Sequence, residues 1–262
     1  APVGVLSVYK GQSLIGDAIG HATFPGVVLA FMAFSTRSPA VLLVGAMAAA
    51  AVTFFAIQAA NENTRVGLNA NLAVFLSGFF GLGMVLKSFI QGNEAYRGAS
   101  QAGLETYIFG QAAYMLEADV KLIAFVAVLC AVLLFAFYKE LKVFVFDAEY
   151  ARAVGLPVRL LQVLLPFLTI AVIGIGIKAV GAILISSFLI IPSQWSDDFA
   201  HVLFLSAVFG VVAALAGTYV STLEQGMSTG PSIILAASAI AFLSMFFGKR
   251  GAFRKRGRRE EA

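Results

Sequence analysis

Long apolar runs that alternate with short polar segments fill most of the chain. Several runs approach the ~20 apolar residues that span the hydrocarbon core of a bilayer. The pattern predicts an all-α membrane protein, a polytopic helical bundle with about nine membrane segments. These segments are residues 1–8, 13–35, 40–60, 69–90, 120–138, 160–177, 180–192, 201–219 and 230–247.

Two of these segments are short. The first, residues 1–8, precedes Lys10 and has no basic start. We therefore expect it to be the truncated end of a first helix rather than a signal peptide. The run 180–192 ends at Pro192, which indicates a re-entrant or broken helix. Together the segments predict one transmembrane domain that covers residues 1–262.

The composition agrees with a membrane protein and excludes several other classes. Hydrophobic residues make up 60% of the 262 residues and charged residues 12%, with a mean hydropathy of +0.91. Soluble globular domains are less apolar. The one cysteine, Cys130, excludes a disulfide framework and a cysteine-rich metal site. Most of the net charge of +4 lies in the basic tail at 248–262, so we expect no nucleic-acid partner.

The distribution of Lys and Arg predicts the orientation. If every segment crosses the membrane, most of the 18 Lys and Arg residues lie in the loops of one side and in the tail. Cytoplasmic loops carry such an excess. The tail and the segment 139–159 are therefore expected in the cytoplasm, and the loop 91–118 outside. Aromatic residues in that outer loop fit a docking surface for another protein, a re-entrant plug or a solvated hairpin.

Asp17 and His21 are the main candidates for chemistry. At i and i+4 they share one helix face, and such a pair is costly in a membrane unless it faces a partner, a cavity or a permeating ion. His21 lies roughly 16 Å beyond Lys10 along a helix, about half of the ~30 Å hydrocarbon core. Pro25 also leaves the His21 carbonyl without its usual helical partner.

A carboxylate oxygen and an imidazole nitrogen suit Mn²⁺, Fe²⁺ or Zn²⁺. Two ligands are too few to hold a divalent ion, so we expect the site at the interface of two protomers. Because ligation needs neutral imidazole, binding should weaken as the pH falls through the His21 pKa. The alternative is a hydrogen bond between Asp17 and His21 that only fixes the helix.

A second candidate is the segment from Asp147 to Pro157. It is charged and compatible with a helix around Ala151, and Gly155 followed by Leu156 and Pro157 predicts a stop. On the basic side of the membrane it fits a short cytoplasmic helix that binds a partner. An ordinary amphipathic connector is the alternative.

Other polar residues carry less information. His201, close to Asp197 and Asp198, fits either a second metal or regulatory site or a hydrated surface cluster. We assign no role to Lys178 beyond reaching the membrane surface. The chain has no G-x-x-x-x-G-K-S/T loop, so it is not expected to hydrolyse ATP, and no H-E-x-x-H motif of a metalloprotease. A secondary carrier or channel is an alternative, but we find no internal repeat to support it.

Several stretches, in the same order, resemble the permeases of the ABC-type manganese, zinc and iron importers, and the outer-loop stretch resembles the manganese-type branch. They are SLIGDAIGHATFPGV at 13–27, AGLETYIFGQAA at 102–113, YKELK at 138–142 with FDAEYARAVGL at 146–156, VGAILI at 180–185 and TGPSII at 229–234. The chain departs from the family pattern at two places. The stretch after Pro192 is shorter, and Lys178 stands where the family more often has a neutral polar residue.

The resemblance implies a type II-like ABC importer permease in the bacterial plasma membrane. It implies a second permease copy or paralogue, cytosolic ABC ATPase subunits and an extracytoplasmic metal-binding protein as partners. Asp17 and His21 would bind the metal in the pathway, and the segment with Asp147, Glu149, Ala151 and Gly155 would couple to the ATPase. No cofactor would be bound permanently. The cargo would be Mn²⁺, with Zn²⁺ or Fe²⁺ as the alternative.

Overall fold

A computed structural model describes residues 1–12, 14–36, 38–93, 96, 110, 115–181, 185, 198–223 and 227–247. Within these ranges the chain is helical and contains no strand. The helices are α1 (Pro2–Tyr9), α2 (Ile15–Phe34), α3 (Pro39–Asn63), α4 (Leu68–Gly92), α5 (Glu117–Ala136), α6 (Tyr138–Phe146), α7 (Ala148–Ala153), α8 (Val158–Val180), α9 (Phe199–Ser221) and α10 (Thr229–Phe247).

Six helices are long and apolar enough to cross a membrane: α2, α3, α4, α5, α8 and α9. They coincide with six of the predicted segments. The apolar part of α10 is shorter, Thr229–Leu243, and α1 has only eight residues. The predicted segment 180–192 lies largely outside the described residues. The all-helical fold is thus confirmed, whereas the count of nine membrane segments is not.

Helix α2 lies at the centre of the bundle. Of its span 67% is buried, compared with 11% for α4, because α3, α4 and α8 all pack against it. The outer helices instead present large apolar side chains on their free faces, as a lipid-facing surface requires. Examples are Val44, Val74, Phe125, Phe204 and Leu235. The helix that carries Asp17 and His21 is therefore the one most shielded from lipid.

Small residues allow α2 to approach its neighbours closely. Gly26 meets Gly45 of α3, and a Cβ added to either residue would overlap the backbone of the other. On the α4 side, the missing side chain of Gly83 leaves room for Phe24 and Pro25. Contacts between small residues are typical of close helix packing in membranes. The helix continues through Pro25 without interruption.

The two ends of the helix bundle differ in the residues that lie there. At one end, which we call the Lys10 end, the turn between α1 and α2 lies beside α6 and the start of α9, where Tyr9 contacts Phe146 and Phe199. At the other end, Pro39, Asp119 and Ile177 line a small cavity. Six basic residues outside the tail lie at the Lys10 end, in its loops, its short helices and the first turn of α8, and this grouping agrees with the charge distribution noted above. They are Lys10, Arg65, Lys139, Lys142, Arg152 and Arg159.

Candidate metal site

Asp17 and His21 lie together on the first turns of α2. The Asp17 Oδ1 atom is 3.6 Å from the His21 Nε2 atom, with the His21 side chain 13% exposed and the Asp17 side chain 33% exposed. This distance is longer than a hydrogen bond. Two donor atoms that share one tetrahedral ion at about 2.1 Å lie about 3.4 Å apart. At this spacing one ion could contact both side chains.

The surroundings of His21 decide which ring nitrogen is available. Its Nδ1 atom is buried and has no hydrogen-bond partner in the described structure. Its Nε2 atom is the one that faces Asp17. The ring also makes an edge-on contact with Phe80 of α4, with 5.0 Å between centroids and 86° between planes. Phe80 thus forms a wall beside the imidazole, and Nε2 is the nitrogen that can bind an ion.

Sequence reasoning did not identify Phe80. The chain contains 24 phenylalanines, and one of them inside an apolar helix is indistinguishable by pattern from ordinary core packing. Its role depends on the alignment of α4 with α2, which places Phe80 beside His21 and Phe24. No signal in a single sequence gives that alignment.

The local backbone holds Asp17 in a defined place. Gly11 (φ +73°) ends α1, with its N–H donating to the Val8 carbonyl and the Gln12 N–H donating to the Ser7 carbonyl. This is the paired hydrogen-bond pattern of a Schellman motif. Asp17 then lies in the first turn of α2, where the helix dipole favours a negative charge.

Two protein ligands do not complete a metal site. Among the described residues, no group of three or more His, Cys, Asp or Glu side chains is close enough to hold an ion. Divalent transition metals usually take four or more ligands. Asp17 and His21 can therefore supply part of a ligand set, to which the described residues of this chain add no third His, Cys, Asp or Glu side chain.

The segment around Asp147 forms the short helix that the sequence predicts. The Asp147 side chain caps α7 by accepting hydrogen bonds from the N–H groups of Glu149 (3.0 Å) and Tyr150 (2.8 Å). Ala151 is buried in the hydrophobic core, and Gly155 (φ +79°) ends the turn. The chain therefore presents a rigid, capped helix at the Lys10 end, with the Glu149 side chain exposed.

His201 belongs to a surface pair. Its Nδ1 atom lies 2.8 Å from Asp198 Oδ2, and both side chains are exposed. Asp198 also caps α9 by accepting a hydrogen bond from the Ala200 N–H. That bond is the main reason why the pKa of Asp198 lies below its ordinary value, and His201 and Lys142 lower it further. This geometry favours the hydrated surface cluster over a second metal or regulatory site at His201. Asp197 and the Lys178 side chain lie outside the described part of the chain.

Taken together, these features define a polytopic α-helical membrane protein with a polar pair in its central helix, the organisation of a membrane transport component. The sequence profile of the ABC 3 transport family matches residues 1–248, and the chain belongs to this family. It is thus an ABC transporter permease, a transport component rather than an enzyme.

Similar proteins carry names of metal transport systems. The chain is 36% identical over 254 residues to the manganese transport system membrane protein MntC of Bacillus subtilis, covering 95% of this chain and 58% of that protein. It is 35% identical over 250 residues to the zinc transport system membrane protein TroC of Treponema pallidum, covering 94% and 83%. The chain thus spans little more than half the length of the Bacillus relative.

A solved structure shows the same fold. PsaBC from Streptococcus pneumoniae in complex with Fab matches with a TM-score of 0.82 and 27% identity. The match covers 97% of this chain and 87% of that chain. The arrangement of helices described above therefore also occurs in this solved structure.

Proposed function

We propose that this chain is the permease of an ATP-driven importer of a divalent transition metal, with Mn²⁺ as its cargo. Asp17 and His21 bind the ion as it passes along α2. The observation that carries this proposal is the 3.6 Å separation of a carboxylate oxygen and an imidazole nitrogen on the most buried spanning helix. An ionisable pair at such a place is by default a functional site in a membrane protein.

The ligand types do not determine which metal is carried. Asp and His ligands serve Mn²⁺, Fe²⁺ and Zn²⁺, and intrinsic affinity favours Zn²⁺ over Mn²⁺. The relatives named for manganese and zinc are almost equally similar, at 36% and 35% identity. The resemblance of residues 102–113 to the manganese-type branch is the reason for preferring Mn²⁺. The alternative is the same machine with Zn²⁺ or Fe²⁺ as cargo.

The site requires a second permease chain. A symmetric partner, a copy or a paralogue, would add a second carboxylate and a second imidazole, and four ligands suffice for a divalent ion. Asp17 is the more exposed member of the pair and is therefore available for ligation across an interface. Membership of the ABC 3 family argues against an ATP-independent carrier or channel.

The remaining partners follow from the proposed direction of transport. An extracytoplasmic metal-binding protein delivers the ion to the side opposite the Lys10 end. Cytosolic ABC ATPases contact α7, where Asp147, Glu149, Ala151 and Gly155 form the capped helix. The basic loops then face the cytoplasm of a bacterium, as does the C-terminal tail.

The test is the accumulation of manganese, zinc and iron in cells that carry this permease with its ATPase and binding protein. Asp17→Asn and His21→Gln should each abolish uptake of the cargo while the permease still assembles with the ATPase. The matched control is His201→Gln, which alters the other histidine of the chain at an exposed position. Unchanged uptake in Asp17→Asn would refute the assignment of the site.

A further inference from the structure

Four aromatic side chains meet at the Lys10 end and join three separate helices. Tyr9 of α1 lies 5.3 Å from Phe146 of α6 and 5.6 Å from Phe199 of α9, between ring centroids. Phe199 also contacts Phe146 at 5.5 Å and stacks on Tyr138 at 6.0 Å. We call these four residues the aromatic cluster. Phe199 is buried and contacts the three others, so movement of any one helix reaches the other two.

A charged contact reinforces the connection between α1 and α6. The Lys10 Nζ atom lies 3.8 Å from the centroid of Phe144, which is itself buried. Burial lowers the pKa of Lys10 to about 8, so the ammonium group remains mostly protonated at neutral pH. A cation over an aromatic face is attracted to it. The end of α1 is therefore attached to α6 through two adjacent residues, Tyr9 and Lys10.

Hydrogen bonds connect the backbone on either side of the cluster. Toward α7, the Asp147 N–H donates to the Val143 carbonyl of α6, and the Asp147 side chain caps α7. Toward α2, the hydrogen-bonded turn at Gly11 is followed by the Asp17 N–H, which donates to the Leu14 carbonyl. In the described part of the chain, hydrogen-bonded helix ends and side-chain packing thus connect α7 with the first turn of α2.

We propose that the aromatic cluster and the Gly11 turn form a mechanical joint through which displacement of α7 shifts Asp17. In this proposal, which rests on the proposed function, Tyr9, Phe199 and Gly11 are positioning residues and not metal ligands. Closure of the ATPases against α7 moves α6, the cluster moves the end of α1, and the Gly11 turn passes the movement to the first turn of α2. The joint thereby couples nucleotide state to the geometry of the Asp17–His21 pair.

Gly11 offers a precise perturbation of this joint. A Cβ at Gly11 meets no atom within 4 Å, so Gly11→Ala causes no clash and acts only through the positive φ, which alanine adopts poorly. Gly67 at the start of α4 is the matched control, because its Cβ would also meet open space and its φ of −65° is ordinary. For the aromatic cluster, the test variant is Phe199→Leu and the matched control is Phe204→Leu. Phe204 lies on the same helix, between one and two turns further along, and its side chain is exposed.

The experiment uses the assembled transporter in proteoliposomes and measures metal uptake, ATP hydrolysis and metal binding separately. We expect Gly11→Ala and Phe199→Leu to lower uptake per ATP hydrolysed by about 2- to 30-fold, the range over which residues between coupled sites alter coupling. Metal binding and the amount of complex should remain at wild-type levels. Both controls should keep the wild-type ratio.

A second measurement follows the movement itself. Leu14 is 46% exposed, and the chain has no other cysteine than the buried Cys130, so Leu14→Cys introduces one accessible thiol. Its maleimide labelling rate should change when ATP and vanadate trap the closed ATPases. In Gly11→Ala and Phe199→Leu backgrounds this change should disappear.

The outcomes separate the joint from a purely structural role. If uptake, ATP hydrolysis and the amount of complex fall in proportion, the cluster only stabilises the fold and the joint is refuted. An unchanged ratio of uptake to hydrolysis in both variants refutes it as well. If the wild-type transporter shows no ATP-dependent uptake of Mn²⁺, Zn²⁺ or Fe²⁺, the proposed function itself fails, and the joint fails with it.

Discussion

Replacing Gly26 by alanine tests the helix crossing that places α2 against α3. A Cβ at Gly26 would lie 2.6 Å from the Ala49 Cβ and would overlap the Gly45 carbonyl. Non-bonded carbon atoms pack at about 3.5–4.0 Å, so the helices would have to separate by about 1 Å. Neither neighbour can avoid the clash by changing a rotamer, because one is a backbone carbonyl and the other a Cβ.

The expected cost follows from two opposing effects. Overpacking in a close-packed interior costs about 1–3 kcal/mol, whereas alanine is favoured over glycine within a helix by up to about 1 kcal/mol. We expect a net loss of about 1–2 kcal/mol for Gly26→Ala, which corresponds to a fall in Tm of about 2–8 °C for a chain of this size. Metal uptake should fall as well, since His21 lies little more than one turn away on the same helix.

The assay is thermal unfolding of the detergent-solubilised permease with a thiol-reactive dye, which reports exposure of the buried Cys130. Gly78→Ala on α4 is the matched control, because its Cβ would meet open space, and it should melt at or slightly above the wild-type temperature. If Gly26→Ala melts as high as Gly78→Ala, α2 and α3 do not cross at Gly26 and Gly45, and the argument is wrong.

Three further predictions concern transport. Phe80→Ala should weaken metal binding several-fold, because the His21 ring would lose the side chain that packs against it. Phe80→Leu keeps an apolar side chain there and should weaken binding less. Equilibrium binding of Mn²⁺ to the two variants distinguishes these outcomes. Metal uptake should decline from pH 8 to pH 5, because imidazole that gains a proton no longer binds metal; a flat profile of initial rates would contradict a histidine ligand. Gly155→Pro should uncouple ATP hydrolysis from uptake without changing metal binding, because proline cannot adopt the φ of +79° at that position.

Properties set by local sequence were predictable, and those set by packing between distant segments were not. Six of the nine predicted membrane segments coincide with spanning helices of the described structure, because the bilayer thickness fixes the length of such apolar runs. Asp147 and Gly155 marked the ends of α7 because caps act within a few residues. Phe80 beside His21 and Tyr9 beside Phe199 depend on how helices align, which single-chain periodicity does not encode.

The same distinction applies to metal selectivity. Asp17 and His21 provide donors that every first-row divalent ion accepts, and intrinsic affinity would favour zinc. A permease must also release its cargo, so tight binding is a disadvantage in the pathway. If the cargo is Mn²⁺, as proposed above, its selection has to arise from the geometry around the pair rather than from the ligand types. In this chain the described neighbour of the His21 ring is Phe80, and its position is set by helix packing rather than by ligand identity.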